Sequence, residues 1–168
     1  AAILSAQCRS EVVNEATEKL FKKYKTAENY SNADLNEFIK DVDQITYPGN
    51  KSKNIIAACK ILVEKYNSQV PKTHKELTHL PGIGHKTAHV ILHNAFDIVE
   101  GIVVDVHVLR IAYRLGLTSN NKNAEKTRKE LELLIPREYW KEVQWLFKDH
   151  GRAICRAPIP LCSECFLY

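Results

Sequence analysis

The sequence has no methionine, only six glycines and six prolines, and no hydrophobic run approaching the roughly 18 apolar residues of a membrane span. The missing run argues against a membrane helix. The opening AAILSAQ also lacks the basic region and cleavage site of a secretion signal. No segment is low-complexity, repeated or linker-like, and no long stretch alternates apolar and polar residues as a strand would. What remains is helical periodicity in nearly every segment. With 45% hydrophobic residues the chain can bury the core of one domain or two small lobes, so a soluble, intracellular, all-α protein is expected.

A strong excess of either charge is also missing. The 24 basic and 20 acidic residues give +4, with a pI near 8.7, which permits a polyanionic partner without requiring one. The five cysteines are an odd number, and three of them fall in the last fourteen residues. That distribution argues against a secreted disulfide framework and for a metal site. Cys8 and Cys59 lie alone in helical surroundings and read as small buried hydrophobes.

Ser10 reads as the N-cap of a first helix, with Val12, Val13, Ala16, Leu20 and Tyr24 on one stripe. Asp34 opens a second, which ends before a turn signal at Tyr47-Pro48-Gly49-Asn50. A third covers residues 54–66, with Ile55, Ile56, Cys59, Leu62 and Val63 facing inward, and Val70-Pro71 breaks it. Thr73 caps a brief helix through His79, and the turn Pro81-Gly82-Ile83-Gly84 leads into a helix over residues 85–96. Val103 and Val104 are expected to be buried, Asp105 to cap a helix over residues 106–115, and Gly116 to stop it. Helices over residues 124–134 and 138–150 follow, then a loop organised around cysteines.

The segment LPGIGHKTAHVIL, residues 80–92, carries the first chemistry. Glycine allows close approach and positive φ, and the turn leaves the first N–H groups of the next helix free, so a phosphate diester fits there. A plain helix hairpin with close-packed glycines is the alternative. Lys86 falls in the first turn, where the helix field disfavours a cation and favours a neutral amine that can attack carbon. A solvated surface lysine is the competing reading. His85, His89 and His93 share one face at the spacing of paired zinc ligands, but no glutamate stands between them in the metalloprotease pattern. With Val90, Ile91 and Leu92 expected to bury the opposite side, a solvated or partner-touching polar face is favoured over zinc. Nineteen residues past Lys86, in VVDVHVLRIAYRLGL, Asp105 is either a helix cap or a fixed carboxylate beside a cationic intermediate.

LPGIGHKTAHVIL, followed at this distance by VDVHVLRIAYRLGL, resembles the helix-hairpin-helix DNA glycosylases, and within them the endonuclease III type. LSAQCRSEVVNEATEKLF resembles that family's first barrel helix, and DHGRAIC with the cysteines after it resembles its iron–sulfur segment. The likeness covers essentially the whole chain. It implies an all-α, two-lobed fold: a six-helix barrel lobe with the hairpin over residues 1–97, and an iron–sulfur cluster lobe over residues 98–168. DNA would lie in the cleft between them, with Lys86 and Asp105 on facing lobes. Residue by residue, the resemblance makes Lys86 the catalytic lysine, which attacks C1′ of a damaged nucleotide, displaces the base and forms a Schiff base before β-elimination cuts the strand. Asp105 would stabilise positive charge on the sugar and assist proton transfers. A lysine at this position implies a bifunctional DNA glycosylase and abasic-site lyase of base excision repair, acting on oxidised pyrimidines, and counts against a monofunctional glycosylase. A non-catalytic DNA-binding module is disfavoured because phosphate binding needs neither Lys86 nor Asp105.

Such chemistry takes the nucleotide out of the stack. The resemblance implies that Gln7 fills the vacated space, with Tyr47 as a second wedge where the family usually has leucine. Leu80, Gly82, Ile83, Gly84 and His85 of the hairpin, with His107 and Arg152, are the other implied DNA contacts, and Arg156 offers a further basic group near phosphates. His85 replaces a common arginine, His89 and His93 replace asparagines, and Ser10 an aspartate, which bears on the damaged base preferred. Cys155, Cys162 and Cys165 are separated by six and then two residues, a spacing open to zinc or iron–sulfur. The resemblance implies a [4Fe-4S] cluster whose fourth cysteine lies beyond Tyr168, in a longer protein truncated here at both ends. The absence of methionine agrees with that. The expected partner is damaged double-stranded DNA, bound by a monomer with no membrane association, in a bacterial cytoplasm or nucleoid or in a eukaryotic nucleus or mitochondrion.

Overall fold

Thr26, Asp34, Thr73, Asp105 and Asn123 each accept a hydrogen bond from a backbone N–H in the first turn of a helix. These side chains set most of the helix starts in the computed structural model, which describes residues 1–167. The helices are α1 (Ser10–Lys23), α2 (Ala27–Ser31), α3 (Leu35–Asp41), α4 (Pro48–Tyr66), α5 (His74–Thr78), α6 (His85–Phe96), α7 (Val106–Arg114), α8 (Ala124–Leu134) and α9 (Trp140–Ala153). Two 3₁₀ turns, Arg137–Tyr139 and Cys162–Glu164, complete the order. No strand occurs among the described residues, and none of their helices is long and apolar enough to cross a membrane. The all-α expectation holds.

The chain forms two compact units, one over Ala1–Leu92 and the other from His93 onward. The first has its core where the stripe of α1 (Val13, Ala16, Leu20) meets Leu4, Phe38, Val42, Ile45 and Ile55. Tyr24, Tyr30 and Phe38 form an aromatic triangle in it, with ring centroids 5.1, 5.2 and 5.9 Å apart. The core of the second joins Ile102, Val104, Val108, Ala112, Leu131 and Val143. Gly151 serves that packing. A Cβ there would lie 2.7 Å from His107 Nδ1 and 2.8 Å from Ile111 Cδ1, so glycine lets α9 press against α7.

Several local expectations change. Ser10 is the first residue of α1 rather than its cap; Arg9 precedes it and no side chain caps the helix. α2 was not expected, although Thr26 and Asn29 close a reciprocal capping box at its start. Tyr47-Pro48-Gly49-Asn50 begins α4 instead of preceding it by a turn: Pro48 takes the first helical position, where a missing N–H costs nothing and its fixed φ fits. Tyr47 makes the entry with φ +56.

Phe38 is fully buried, whereas Leu133 on α8 is 87% exposed. Phe38→Ala is therefore expected to cost about 3–5 kcal/mol in urea unfolding, and Leu133→Ala to stay within about 0.5 kcal/mol of the parent.

Candidate active site

Thr73 Oγ1 accepts from Glu76 N and starts α5, which ends in the tight turn before α6. Ile83 N donates to Leu80 O at 3.1 Å, closing that turn. Gly82 is required there for two reasons. Its φ is +78, and a Cβ would lie 2.9 Å from Asn54 Cβ and 3.2 Å from Ile3 Cγ2. Gly84 has open space around the Cβ position and is exposed; its carbonyl accepts the first helical bond, from Ala88 N. Lys86 stands exposed in the first turn of α6. Leu80, expected among the DNA contacts, has its side chain in the interior at 3% exposure, so it anchors the turn; Ile83 is half-buried.

The histidine face differs from expectation. His85 is exposed, but His89 and His93 are buried, on the same side of α6 as Ala88 and Leu92, while Val90 and Ile91 are only half-buried. His74 of α5 packs on this face, its ring 5.1 Å from that of His85 and 4.3 Å from that of His89, and His74 Nε2 lies 3.3 Å from His85 Nδ1. Flat imidazoles pack on one another, which a solvated polar face would not require. Burial holds the His93 imidazole below its ordinary range, partly opposed by the Gly101 backbone. No three His, Cys, Asp or Glu residues among those described converge on a point that could hold a metal ion.

Gln7 meets Thr46, the residue before Tyr47, in the first unit, where Thr46 Oγ1 donates to Gln7 O at 2.7 Å. Gln7 and Tyr47 are both exposed and both take positive φ, +52 and +56. Beneath them Lys51, in the first turns of α4, is only 6% exposed. Its Nζ donates to Leu4 O at 2.9 Å and to Ala6 O at 2.6 Å. Burial pushes that ammonium below the usual lysine range, and the neighbouring Cys8 thiol opposes the shift. Thr46 in turn holds the half-buried Cys8 thiol below its usual range by hydrogen bonding.

In the second unit Asp105 is 9% exposed and caps α7, its Oδ1 accepting from His107 N at 2.8 Å and Val108 N at 3.0 Å. Oδ2 is the oxygen that the cap does not use. His107 is half-buried, with Nδ1 3.2 Å from Arg110 Nη2; burial depresses its imidazole, and the Asp105 carboxylate opposes this. Arg152 is exposed. Cys155, Cys162 and Cys165 line one cavity of about 270 Å³, together with Arg114, His150 and apolar residues that include Ile154 and Leu161. Arg114 Nη1 donates to Cys155 Sγ at 3.4 Å, and Cys165 Sγ lies 3.7 Å from His150 Nε2. Three thiols lining one space, with the Arg114 guanidinium beside Cys155, are a soft donor set of the kind that thiolate-held clusters take.

The sequence reading missed three residues. Lys51 stood outside the helix expected over residues 54–66 and was given no role. Arg110 and Arg114 tie the cysteine loop to α7: Arg110 donates to the carbonyls of Gly151 and Cys155, and Arg114 to those of Arg156 and Pro158. The four-residue spacing of the two arginines on one helix was the available signal.

Comparison with known proteins gives the family. Residues 1–137 match the family model described as HhH-GPD superfamily base excision DNA repair protein. Endonuclease III of Synechocystis sp. is 41% identical over 167 residues, covering 99% of this chain and 76% of that protein. Endonuclease III of Bacillus subtilis is 39% identical over 165 residues, covering 98% and 75%. A solved structure of a trapped endonuclease III–DNA covalent intermediate, an estranged-adenine complex, superposes with a TM-score of 0.91 at 39% identity over 98% of this chain and 77% of that one. The chain thus belongs to the HhH-GPD superfamily of base excision DNA repair proteins and, within it, to the endonuclease III family.

Proposed function

We propose that in this chain, by its family a base-excision DNA glycosylase and AP lyase, Lys86 is the nucleophile and Asp105 the carboxylate that serves it. The observation that carries the reading is an exposed amine two residues past the glycine turn. The turn's free N–H groups grip a phosphate of damaged duplex DNA, with exposed Gly84 admitting the backbone and His85 beside it. The Lys86 amine attacks C1′ of the flipped nucleotide, the bond to the base breaks, and the base leaves with a proton. The sugar ring then opens to a Schiff base on Nζ. Loss of a C2′ proton expels the 3′ phosphate, and water releases Lys86. Asp105, fixed by its cap through Oδ1, offers Oδ2 to the positive charge that develops on the sugar and to the moving protons. Gln7 and Tyr47 fill the space the nucleotide leaves, and His107 and Arg152 add DNA contacts. The substrates are oxidised pyrimidines and abasic sites, and the enzyme works as a monomer in whichever compartment holds the DNA.

Cys155, Cys162 and Cys165 would hold a [4Fe-4S] cluster together with a fourth cysteine beyond Tyr168, a reading supported by the three thiols that line one cavity. The cluster would supply a rigid structural centre, with exposed Arg156 next to Cys155 in sequence and exposed Arg152 three residues before it.

Borohydride trapping on a duplex with an abasic site is expected to give a covalent protein–DNA adduct that Lys86→Ala abolishes; an adduct surviving in Lys86→Ala overturns the assignment. Asp105→Asn keeps a good helix cap, so its stability should stay within about 1 kcal/mol of the parent. Its single-turnover base release should nevertheless fall by about 10²–10³-fold, and an undiminished rate removes Asp105 from the mechanism. Cys162→Ser should lower both iron content and the absorption band at about 410 nm; unchanged iron would mean that the cavity is not the cluster's seat.

A further inference from the structure

We propose that Lys51 is a positioning residue, whose buried ammonium holds the Leu4 and Ala6 carbonyls and so sets Gln7 ready to enter the gap left by a flipped nucleotide. This rests on Gln7 being the gap-filling residue. Burying a cation is expensive unless its donors are used, and a lysine is seldom so enclosed without a purpose that an apolar residue could not serve. At 6% exposure Lys51 sits against the core that holds Leu4, and its partners are backbone carbonyls rather than carboxylates. Those carbonyls belong to a turn before α1, outside any helical ladder, and would lack partners there.

Two anchor points flank the Gln7 backbone. Lys51 fixes the residue before it, and Thr46 fixes its own carbonyl at 2.7 Å. Between these contacts the backbone is held at φ +52, a conformation a glutamine does not favour unaided. The side chain therefore projects from a backbone fixed on both sides while remaining exposed. Because Thr46 adjoins Tyr47 and Lys51 lies one turn further along, the second wedge residue is held by the same device. An apolar residue of equal length at position 51 would fill the volume but release both carbonyls, leaving the Gln7 segment free to relax.

The test compares Lys51→Met and Lys51→Arg with Gln7→Ala in the full protein. Each is assayed on a duplex carrying an oxidised pyrimidine and on a single strand carrying an abasic site, which has no opposite base and no gap to fill. Lys51→Met is expected to match Gln7→Ala, losing about tenfold or more on the duplex, as a displaced positioning group does, while abasic cleavage on the single strand stays within about twofold. Lys51→Arg, which can still donate to both carbonyls, should recover part of the duplex rate. Equal losses on both substrates would mean a general folding defect and overturn the proposal, as would an unimpaired duplex rate in Lys51→Met beside an impaired Gln7→Ala. If Gln7→Ala shows no duplex-selective loss, the gap-filling reading itself falls and the proposal with it. Should Lys51→Met fail to fold, Lys51→Arg is read by the same ratio of duplex to single-strand rates, with a smaller duplex-selective loss expected and equal losses overturning.

Discussion

The N–H groups that a helix cannot pair at its own start are the constraint on which the functional surface depends. α6 starts at the Gly84 carbonyl, and its second residue is Lys86. α7 starts where Asp105 Oδ1 takes two of those N–H groups, and α4 starts at Tyr47, whose left-handed backbone turns the chain into Pro48. A helix end is a stiff place to mount a side chain, and it carries a partial positive field of its own. For a substrate made of phosphates and a sugar that becomes cationic, helix starts can present both free donors and a fixed carboxylate.

α7 links two such demands over nine residues, about 13 Å of helix. At its start is Asp105; along its length Arg110 and Arg114 spread their guanidinium groups over carbonyls of the cysteine loop and the end of α9. Arginine suits this because one planar fork can serve several acceptors at once. Gly151 then lets α9 approach closely enough for those contacts to form. The cysteine loop is thus part of what holds α7, and with it Asp105, in place.

Legibility followed the reach of the interaction. The helix of the hairpin, the Asp105 cap, buried Val103 and Val104 and the stop at Gly116 are local patterns, and each stands where periodicity and capping placed it. Pro48-Gly49 misled because the same dipeptide serves a turn or a first helical position, and only what precedes it decides. The histidines misled in a different way. An imidazole packs as a flat ring, so His89 can be buried where another ring, here that of His74, covers it. Lys51 was invisible for a third reason: its partners are carbonyls 45 and 47 residues away, and no side-chain pattern announces a backbone acceptor.

Lys51 and Lys86 are the same residue type proposed for opposite uses, and exposure distinguishes them. An amine that must reach C1′ of a large, hydrated polyanion has to be open to solvent before the substrate arrives, as Lys86 is. A lysine whose donors are already spent on two internal carbonyls cannot leave them without opening the segment they hold, so burial disqualifies Lys51 as a nucleophile and suits it to hold a backbone. What a cationic side chain can do is in this way decided by its neighbours: the turn leaves Lys86 exposed, as a reagent requires, and two carbonyls enclose Lys51, as a clamp requires.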